Sequence, residues 1–359
     1  MSGARDISNY ARPEPQAFAE QASLVYVSHE EPGIRRRRSG KGFSYSLPGG
    51  QRLADNETLA RIGSLAIPPA WTDVWIAADA NGHIQATGRD QRGRKQYRYH
   101  ARWSASRDEA KYSSVAAFAE ALPKLRDRVD ADLRKRGFPI ERVVASVVWL
   151  LDNTMIRVGN AAYARDNQSF GLTTLRSRHV KVEGAQLRFA FKGKSGKEWR
   201  LQLADRRMAR IMRTIQELPG QQLFQYYDDD VRRAISSHDV NVYIQDVIGP
   251  EFSSKHFRTW GGTINAASLF SATPVGSSKS ETARIMNSIV DRVAAGLGNT
   301  RTVCRKCYIH PLIMERWQEG VLADELAAAR RSFRKPVAGL DEEETLVLKW
   351  LVKNGSASE

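Results

Sequence analysis

A chain of 359 residues is longer than one ordinary core organises and suits two domains. Lys and Arg outnumber Asp and Glu by 55 to 40, a net charge of +15, and that self-repulsion implies an anionic partner, nucleic acid ahead of a membrane surface. No apolar run approaches the length of a bilayer span, no signal-peptide core opens the chain, and two cysteines make no disulfide framework, so a cytoplasmic protein without a membrane anchor is expected.

Residues 1–40 read as a flexible basic arm. Pro13, Pro15 and scattered charges leave little to pack, and Arg35, Arg36, Arg37 and Arg38 close the segment as a solvated charge cluster with nonspecific phosphate contact as its functional use. Residues 41–104 read as strands. Phe43, Tyr45 and Leu47 alternate with small polar residues, and Val74, Trp75 and Ile76 lead into Asp79-Ala80-Asn81-Gly82, a hairpin turn returned by residues 83–89. After a turn at Gln91-Arg92-Gly93, the run Arg94, Lys95, Gln96, Tyr97, Arg98, Tyr99 alternates cations with rings at the period of a strand. Between Arg89 and Arg107 the cations are opposed only by Asp90, an imbalance that fits phosphate tracking, with a charged sheet edge as the plainer reading. Gln96 has the amide that could read a base edge.

Residues 105–359 read as mainly helical. Residues 106–121 and 123–135 have helix-forming composition with Pro123 suited to a first turn, and Pro139 opens a segment so rich in valine and leucine that it must be buried. Phe189, Phe191 and Trp199 bracket Lys192-Gly193-Lys194-Ser195-Gly196-Lys197, a short hairpin whose tip carries lysines. Helical patterning resumes over residues 208–218 and 231–248. Ser278 and Glu281 stand in capping-box relation before a helix with Ile285, Ile289, Val293 and Leu297 on one stripe, and Gly298 ends it. Helices follow near residues 323–331 and after Asp341.

The chemistry concentrates in this half. Arg157, Lys194, Arg258, Asn299 and Tyr308 are the side chains needed to attack a phosphodiester without a metal. Two permanently charged guanidinium groups can hold the non-bridging oxygens of the transition state by forked hydrogen bonds, and an asparagine adds a neutral donor. A lysine can protonate the departing 5′-oxygen. A phenol with a reference pKa of about 10 needs nearby positive charge to act as a nucleophile at neutral pH, and Arg301, Arg305 and Lys306 flank Tyr308 in sequence.

With Ile67-Pro68-Pro69-Ala70-Trp71, the stretch from Ala86 to His100, Ile156 to Asn160, Gly193-Lys194, Lys255 to Thr259 and Leu297 to Tyr308, this set resembles the type IB DNA topoisomerases, in the compact poxvirus-like form found in bacteria. The resemblance implies an α+β fold, with a small strand-rich domain and a larger, mainly helical catalytic domain forming a clamp around DNA. It implies relaxation of supercoiled duplex DNA without ATP, metal or small-molecule cofactor, by transient cleavage of one strand through a 3′-phosphotyrosyl link, rotation and religation. Arg157, Lys194, Arg258, Asn299 and Tyr308 match the catalytic set, with Asn299 where many relatives carry His. Gln96, Tyr97 and Tyr99 match the strand laid along the major groove, joined by Arg94 and Lys95, and Lys255 matches an auxiliary acid or phosphate contact. A monomer associated with the nucleoid is the implied working form.

The nearest alternative is a tyrosine recombinase, which uses the same chemistry for strand exchange. Lys255-x-x-Arg258 in place of the usual His-x-x-Arg, and a strand-rich rather than helical amino-terminal part, favour the topoisomerase. Cys304 and Cys307 form a Cys-x-x-Cys pair beside the tyrosine, but two ligands do not complete a zinc site, so no metal is expected and oxidation to a disulfide is the alternative use. His256 reads as a packing or phosphate-contacting residue.

Overall fold

The computed structural model describes residues 15–228 and 231–355, so residues 1–14 of the expected arm lie outside the described residues. The chain divides into two compact units, residues 1–112 and 113–359.

The first unit contains a short helix α1 (Pro15–Gln21), strands β1 (Ile34–Ser39) and β2 (Gly42–Ser46), helix α2 (Asn56–Ser64), and strands β3 (Thr72–Ile76), β4 (Ile84–Arg89) and β5 (Lys95–Tyr99). The strands form one sheet in the order β2-β1-β3-β4-β5, each pair antiparallel. Gly40 and Gly93 take positive φ at the tight turns before β2 and β5, the conformation that lets two neighbouring strands reverse. Ile34, Val74, Ile76 and Ala86 from the sheet close over Ile62 of α2 and Leu53.

Here the arginine run departs from the expected arm. Arg35 to Arg38 lie within β1, paired residue by residue with β2. Arg36 is half-buried and donates to the backbone carbonyls of Ile67, Pro68 and Trp71 at 3.3, 3.1 and 2.7 Å, and its guanidinium covers the Phe43 ring at 4.1 Å. It satisfies the carbonyls of a proline-bearing turn that has few amide donors of its own. Four like charges in sequence read as solvated and conceal that one of them, Arg36, turns back onto the sheet while Arg35, Arg37 and Arg38 stay exposed.

Helix α3 (Ala101–Leu133) is continuous, with Pro123 inside it, where the sequence suggested two helices. Val115, Phe118, Ala119, Leu122, Leu125, Val129 and Leu133 are buried at helical spacing on both sides of the proline. One apolar stripe thus persists through the missing hydrogen bond.

The second unit continues with α4 (Ile140–Thr154), α5 (Ala161–Asn167), strands β6 (Val180–Glu183), β7 (Gln186–Lys192) and β8 (Glu198–Ala204), α6 (Arg206–Gln216), strands β9 (Gln225–Asp228) and β10 (Val231–Ala234), and helices α7 (Ser237–Ile248), α8 (Lys255–Ser271), α9 (Lys279–Gly296), α10 (Arg301–Cys307), α11 (Pro311–Gln318), α12 (Leu322–Arg331) and α13 (Glu342–Gly355). Residues 231–234 are a strand rather than the start of a helix, because Ser236 and Asp239 form a capping box that starts α7 only after them.

Helix α8 is the centre of this unit, packed against α4, α9, α11, α12 and α13 and buried on most of its faces. Behind it, Arg126 of α3 binds Asp152 of α4 at 2.8 and 3.0 Å and Glu344 of α13 at 2.7 Å, while the Trp260 indole of α8 donates to Glu344 at 3.3 Å. Charges buried this far are tolerated because each meets an opposite charge with good geometry, and removing one partner would leave the others stranded.

Candidate active site

Arg157 follows α4 but does not close it. Met155 ends the helix in the left-handed conformation, and the chain then leaves regular structure until α5. Leu172 N–H donates to the Arg157 carbonyl at 2.9 Å and Thr173 N–H to that of Val158 at 2.7 Å. Gly171 is required here, because a Cβ on it would sit 2.5 Å from the Arg157 carbonyl oxygen. These bonds fix the backbone at Arg157 and Val158, and the half-buried Arg157 guanidinium reaches the Asn299 side chain.

Arg258 lies in the first turn of α8 and is 3% exposed. It donates to the carbonyl of Met155, at the end of α4, and to that of Leu297, at the end of α9, the latter at 2.7 Å. Helix ends leave such carbonyls without partners, so one guanidinium joins two helix termini and is itself locked. Its carbon stands 4.9 Å from the centre of the Tyr308 ring. One turn along α8, Gly262 lets the Tyr308 backbone close in, since a Cβ there would lie 2.4 Å from the Tyr308 carbonyl oxygen.

Asn299 is placed by a Schellman ending of α9. Gly298 takes φ +58; its N–H donates to the Ala295 carbonyl at 3.1 Å and the Asn299 N–H to that of Ala294 at 2.9 Å. The side chain is 7% exposed. An arginine can only donate, so the Asn299 atom facing Arg157 is Oδ1 and the amide nitrogen faces the other way. Thr300 then caps α10, and Tyr308, half-buried, follows its last turn.

The cations that serve Tyr308 differ from those adjacent in sequence. Arg301 pairs with Asp291 of α9 at 2.5 and 2.8 Å, and Arg305 and Lys306 are exposed. Arg157 and Arg258 come from distant segments, the Arg258 guanidinium lying over the Tyr308 ring, and the charge of each is favoured by Tyr308. Burial lowers the Arg157 pKa while the interaction with Tyr308 opposes the change. For Arg258, burial and then the Arg157 charge bring it down to about 10 against the same opposing contact. Both groups remain cationic at neutral pH. Two like charges near enough for one to lower the pKa of the other, in a buried site, favour an anion between them.

Among the described residues, four buried side-chain polar atoms have no hydrogen-bond partner, and Arg258 Nε and Asn299 Nδ2 are two of them. Both are donors. Buried donors are ordinarily paired, and here they accompany two guanidinium groups beside a tyrosine hydroxyl.

Lys194 is exposed at the β7–β8 tip, where Ser195 takes φ +64 and Gly196 +73. Lys197, three residues on, was not singled out in the sequence; its ammonium donates to the Asn299 backbone carbonyl at 2.5 Å. Lys255 is exposed at the start of α8, three residues before Arg258. His256 is buried, accepts from the Ser253 N–H at 3.0 Å and stacks on Phe118, which makes it a packing residue. Cys304 is buried and Cys307 exposed, both free thiols. Burial pushes the Cys304 thiol up to about 11 although Arg258 pulls it the other way.

In the first unit, Tyr97 and Tyr99 project from one face of β5, exposed and stacked at 5.9 Å, with the Lys95 ammonium 6.0 Å from the Tyr97 ring centre. Arg94 and Gln96 are held by the Asp90 carboxylate, at 2.8 and 3.0 Å. Arg98, on the opposite face to the rings, donates to the Ala66 carbonyl at 2.9 Å.

Fold and site together define an α+β protein in which a buried arginine covers a tyrosine and a second arginine is held by an asparagine beside the same helix end. Residues 98–332 match the family model of the eukaryotic DNA topoisomerase I catalytic core, and residues 42–90 match that of the bacterial DNA topoisomerase IB N-terminal domain. The DNA topoisomerase 1B of Acanthamoeba polyphaga mimivirus is 32% identical over 336 residues, covering 87% of this chain and 98% of the viral protein. The DNA topoisomerase I of monkeypox virus is 21% identical over 278 residues, covering 73% and 82% respectively. The chain belongs to the type IB DNA topoisomerase family, whose members relax DNA through a phosphotyrosyl intermediate. That membership does not favour the recombinase alternative.

Proposed function

We propose that Tyr308 is the nucleophile of this enzyme and that Arg157, Lys194, Arg258 and Asn299 act with it on one phosphodiester of duplex DNA. The Tyr308 oxygen attacks phosphorus and gives up its proton to water. The bond from phosphorus to the 5′-oxygen breaks, Lys194 supplies the proton that makes the leaving group a hydroxyl, and a 3′-phosphotyrosyl ester remains. Arg157 and Arg258 hold the non-bridging oxygens, on which negative charge gathers, and Asn299 Nδ2 donates to the same oxygens. Because the aryl ester keeps the energy of the bond it replaced, the free 5′-hydroxyl can attack it once the strand has rotated. Religation is the same path reversed and needs no nucleotide.

The observation that carries this reading is the pair of buried, unpartnered donors, Arg258 Nε and Asn299 Nδ2, in a cluster whose Arg258 guanidinium lies over the Tyr308 ring. A non-bridging oxygen satisfies them without moving the groups already locked. A neutral asparagine suits the position because it can accept from Arg157 and donate to phosphate together, which a protonated imidazole cannot do.

In the same reading, residues 41–104 contact the duplex and residues 105–359 do the chemistry. Tyr97, Tyr99 and Lys95 lie against the DNA, Arg94 and Gln96 are released from Asp90 when a base edge or phosphate competes for them, and Lys255 contacts a phosphate. The working form is a monomer, associated with the nucleoid. Among the described residues no helix is long and apolar enough to cross a membrane. The experiment is relaxation of supercoiled plasmid in EDTA without ATP. Wild type should relax the plasmid and Tyr308→Phe should leave it supercoiled; relaxation by the variant would remove the assigned nucleophile.

A further inference from the structure

The β7–β8 tip is tied to the segment that carries Asn299, and the tie is built from residues outside the catalytic set. The Lys197 ammonium, half-buried, donates to the Asn299 backbone carbonyl at 2.5 Å, and no carboxylate pairs with it among the described residues. Two residues along β8, the Trp199 indole lies against both Gly193 and Gly298: a Cβ on either would come within 2.7 Å of the ring. The same indole stacks on Phe191 across the hairpin, with centroids 6.0 Å apart and planes 1° from parallel. Within the tip, Gly193 N–H donates to the Lys197 carbonyl at 2.8 Å and Gly196 N–H to that of Gly193 at 3.1 Å. Lys194 therefore projects from a small closed loop whose other end is bonded to the catalytic segment.

We infer that Lys197 is a positioning residue, whose bond to the Asn299 carbonyl holds the hairpin tip where Lys194 can reach the departing 5′-oxygen. Lys194 itself is exposed and sits beside a residue with positive φ, and the hydrogen bonds within the loop shape the tip without placing it against the Asn299 segment. The tie supplies that constraint. It also joins the proton donor to the segment leading through α10 to Tyr308, so that donor and nucleophile share one support. The inference rests on the assignment of Lys194 as general acid.

The test is single-turnover cleavage of a duplex oligonucleotide, once with an ordinary phosphodiester and once with sulfur in place of the bridging 5′-oxygen. A thiolate leaves without a proton because its conjugate acid has a pKa of about 8.5, far below that of an alcohol. Lys197→Met should slow cleavage of the ordinary ester by on the order of 10²-fold, the scale of an ångström's misplacement, and should lose at least about tenfold of that defect on the sulfur substrate. Lys197→Arg keeps an N–H for the Asn299 carbonyl and should stay close to wild type on both. Thermal melting of the variants should match wild type, and the Arg variant keeps the test open if Met disturbs folding.

Wild-type cleavage by Lys197→Met, or an equal defect on both substrates, would overturn the inference. So would a Lys197→Arg enzyme slow on the ester and restored by sulfur, because Lys197 would then be the proton donor itself. Lys194→Ala should also be rescued by sulfur. Failure there sinks the general-acid assignment and this inference with it, whereas a rescued Lys194→Ala beside an unrescued Lys197→Met sinks this inference alone.

Discussion

The tyrosine of the second unit and the tyrosines of the first are the same side chain in opposite circumstances. Tyr308 is half-buried, covered by the Arg258 guanidinium and set on the bare backbone of Gly262. Tyr97 and Tyr99 stand exposed on β5 with Lys95 beside them. The arginines differ in the same way. Arg157 and Arg258 are committed to Asn299 and to two helix ends before any substrate arrives, whereas Arg94 rests on a carboxylate from which a phosphate could draw it. Groups fixed in advance lower a barrier because they cost no reorganisation at the moment of reaction. Exposed groups contribute to affinity, and salt screens them.

That contrast can be broken by mutation. The largest effect is expected for Arg258→Ala and Arg157→Ala, each of which should reduce single-turnover cleavage by about 10² to 10³, roughly 3 to 4 kcal/mol of transition-state stabilisation, with DNA affinity in a filter-binding assay almost unchanged. A large loss of affinity with the cleavage rate of bound DNA intact would place these arginines with the exposed group. Asn299 should come next. Asn299→Asp sets a carboxylate oxygen against the non-bridging oxygen to which Nδ2 is proposed to donate, and should cleave more slowly than Asn299→Ala, by about tenfold or more. The reverse order would mean that Nδ2 does not face the phosphate.

The exposed set should give smaller effects of the other kind. Tyr97→Ala and Tyr99→Ala should weaken DNA binding by several-fold, about 1 kcal/mol each, and leave the cleavage rate at saturating enzyme near wild type. Lys95→Ala should lower the slope of log affinity against log salt by about 0.9 if it meets one phosphate, and an unchanged slope would remove it from the interface. The smallest effect is expected at the cysteines. A buried thiol with its pKa pushed up to about 11 is a poor nucleophile for disulfide exchange, so relaxation rates with and without reductant should agree. A marked difference would give the Cys304 and Cys307 pair a role.

Periodic and punctuated features were legible in the sequence. The lysine-tipped hairpin, the Ser278 cap of α9, the buried valine-rich α4 and the alternation in β5 all follow from residue type and spacing. The members of the proposed catalytic set could be named because they stand in motifs, but their partners in the fold could not. Arg301 seemed to serve Tyr308 because it is adjacent in sequence, yet Asp291 of the preceding helix holds it. Arg36 looked solvated because its carbonyl partners are more than thirty residues away. Lys197 looked like one more turn lysine, since a bond to a backbone carbonyl leaves no mark on the sequence of either partner. Gly171 and Gly262 carry no positive φ that a turn motif would announce, and only the approach of another backbone shows why they are glycine.

The most direct measurement is the identity of the residue that carries DNA. Wild-type enzyme is incubated with a duplex that sheds the short 5′-hydroxyl strand on the 3′ side of the nick after cleavage, digested with protease, and the nucleotide-bearing peptide is sequenced by mass spectrometry. The expected result is a single adduct on Tyr308, with none formed by Tyr308→Phe. An adduct on any other residue, or an undiminished yield from the phenylalanine variant, would contradict the assignment on which the site depends.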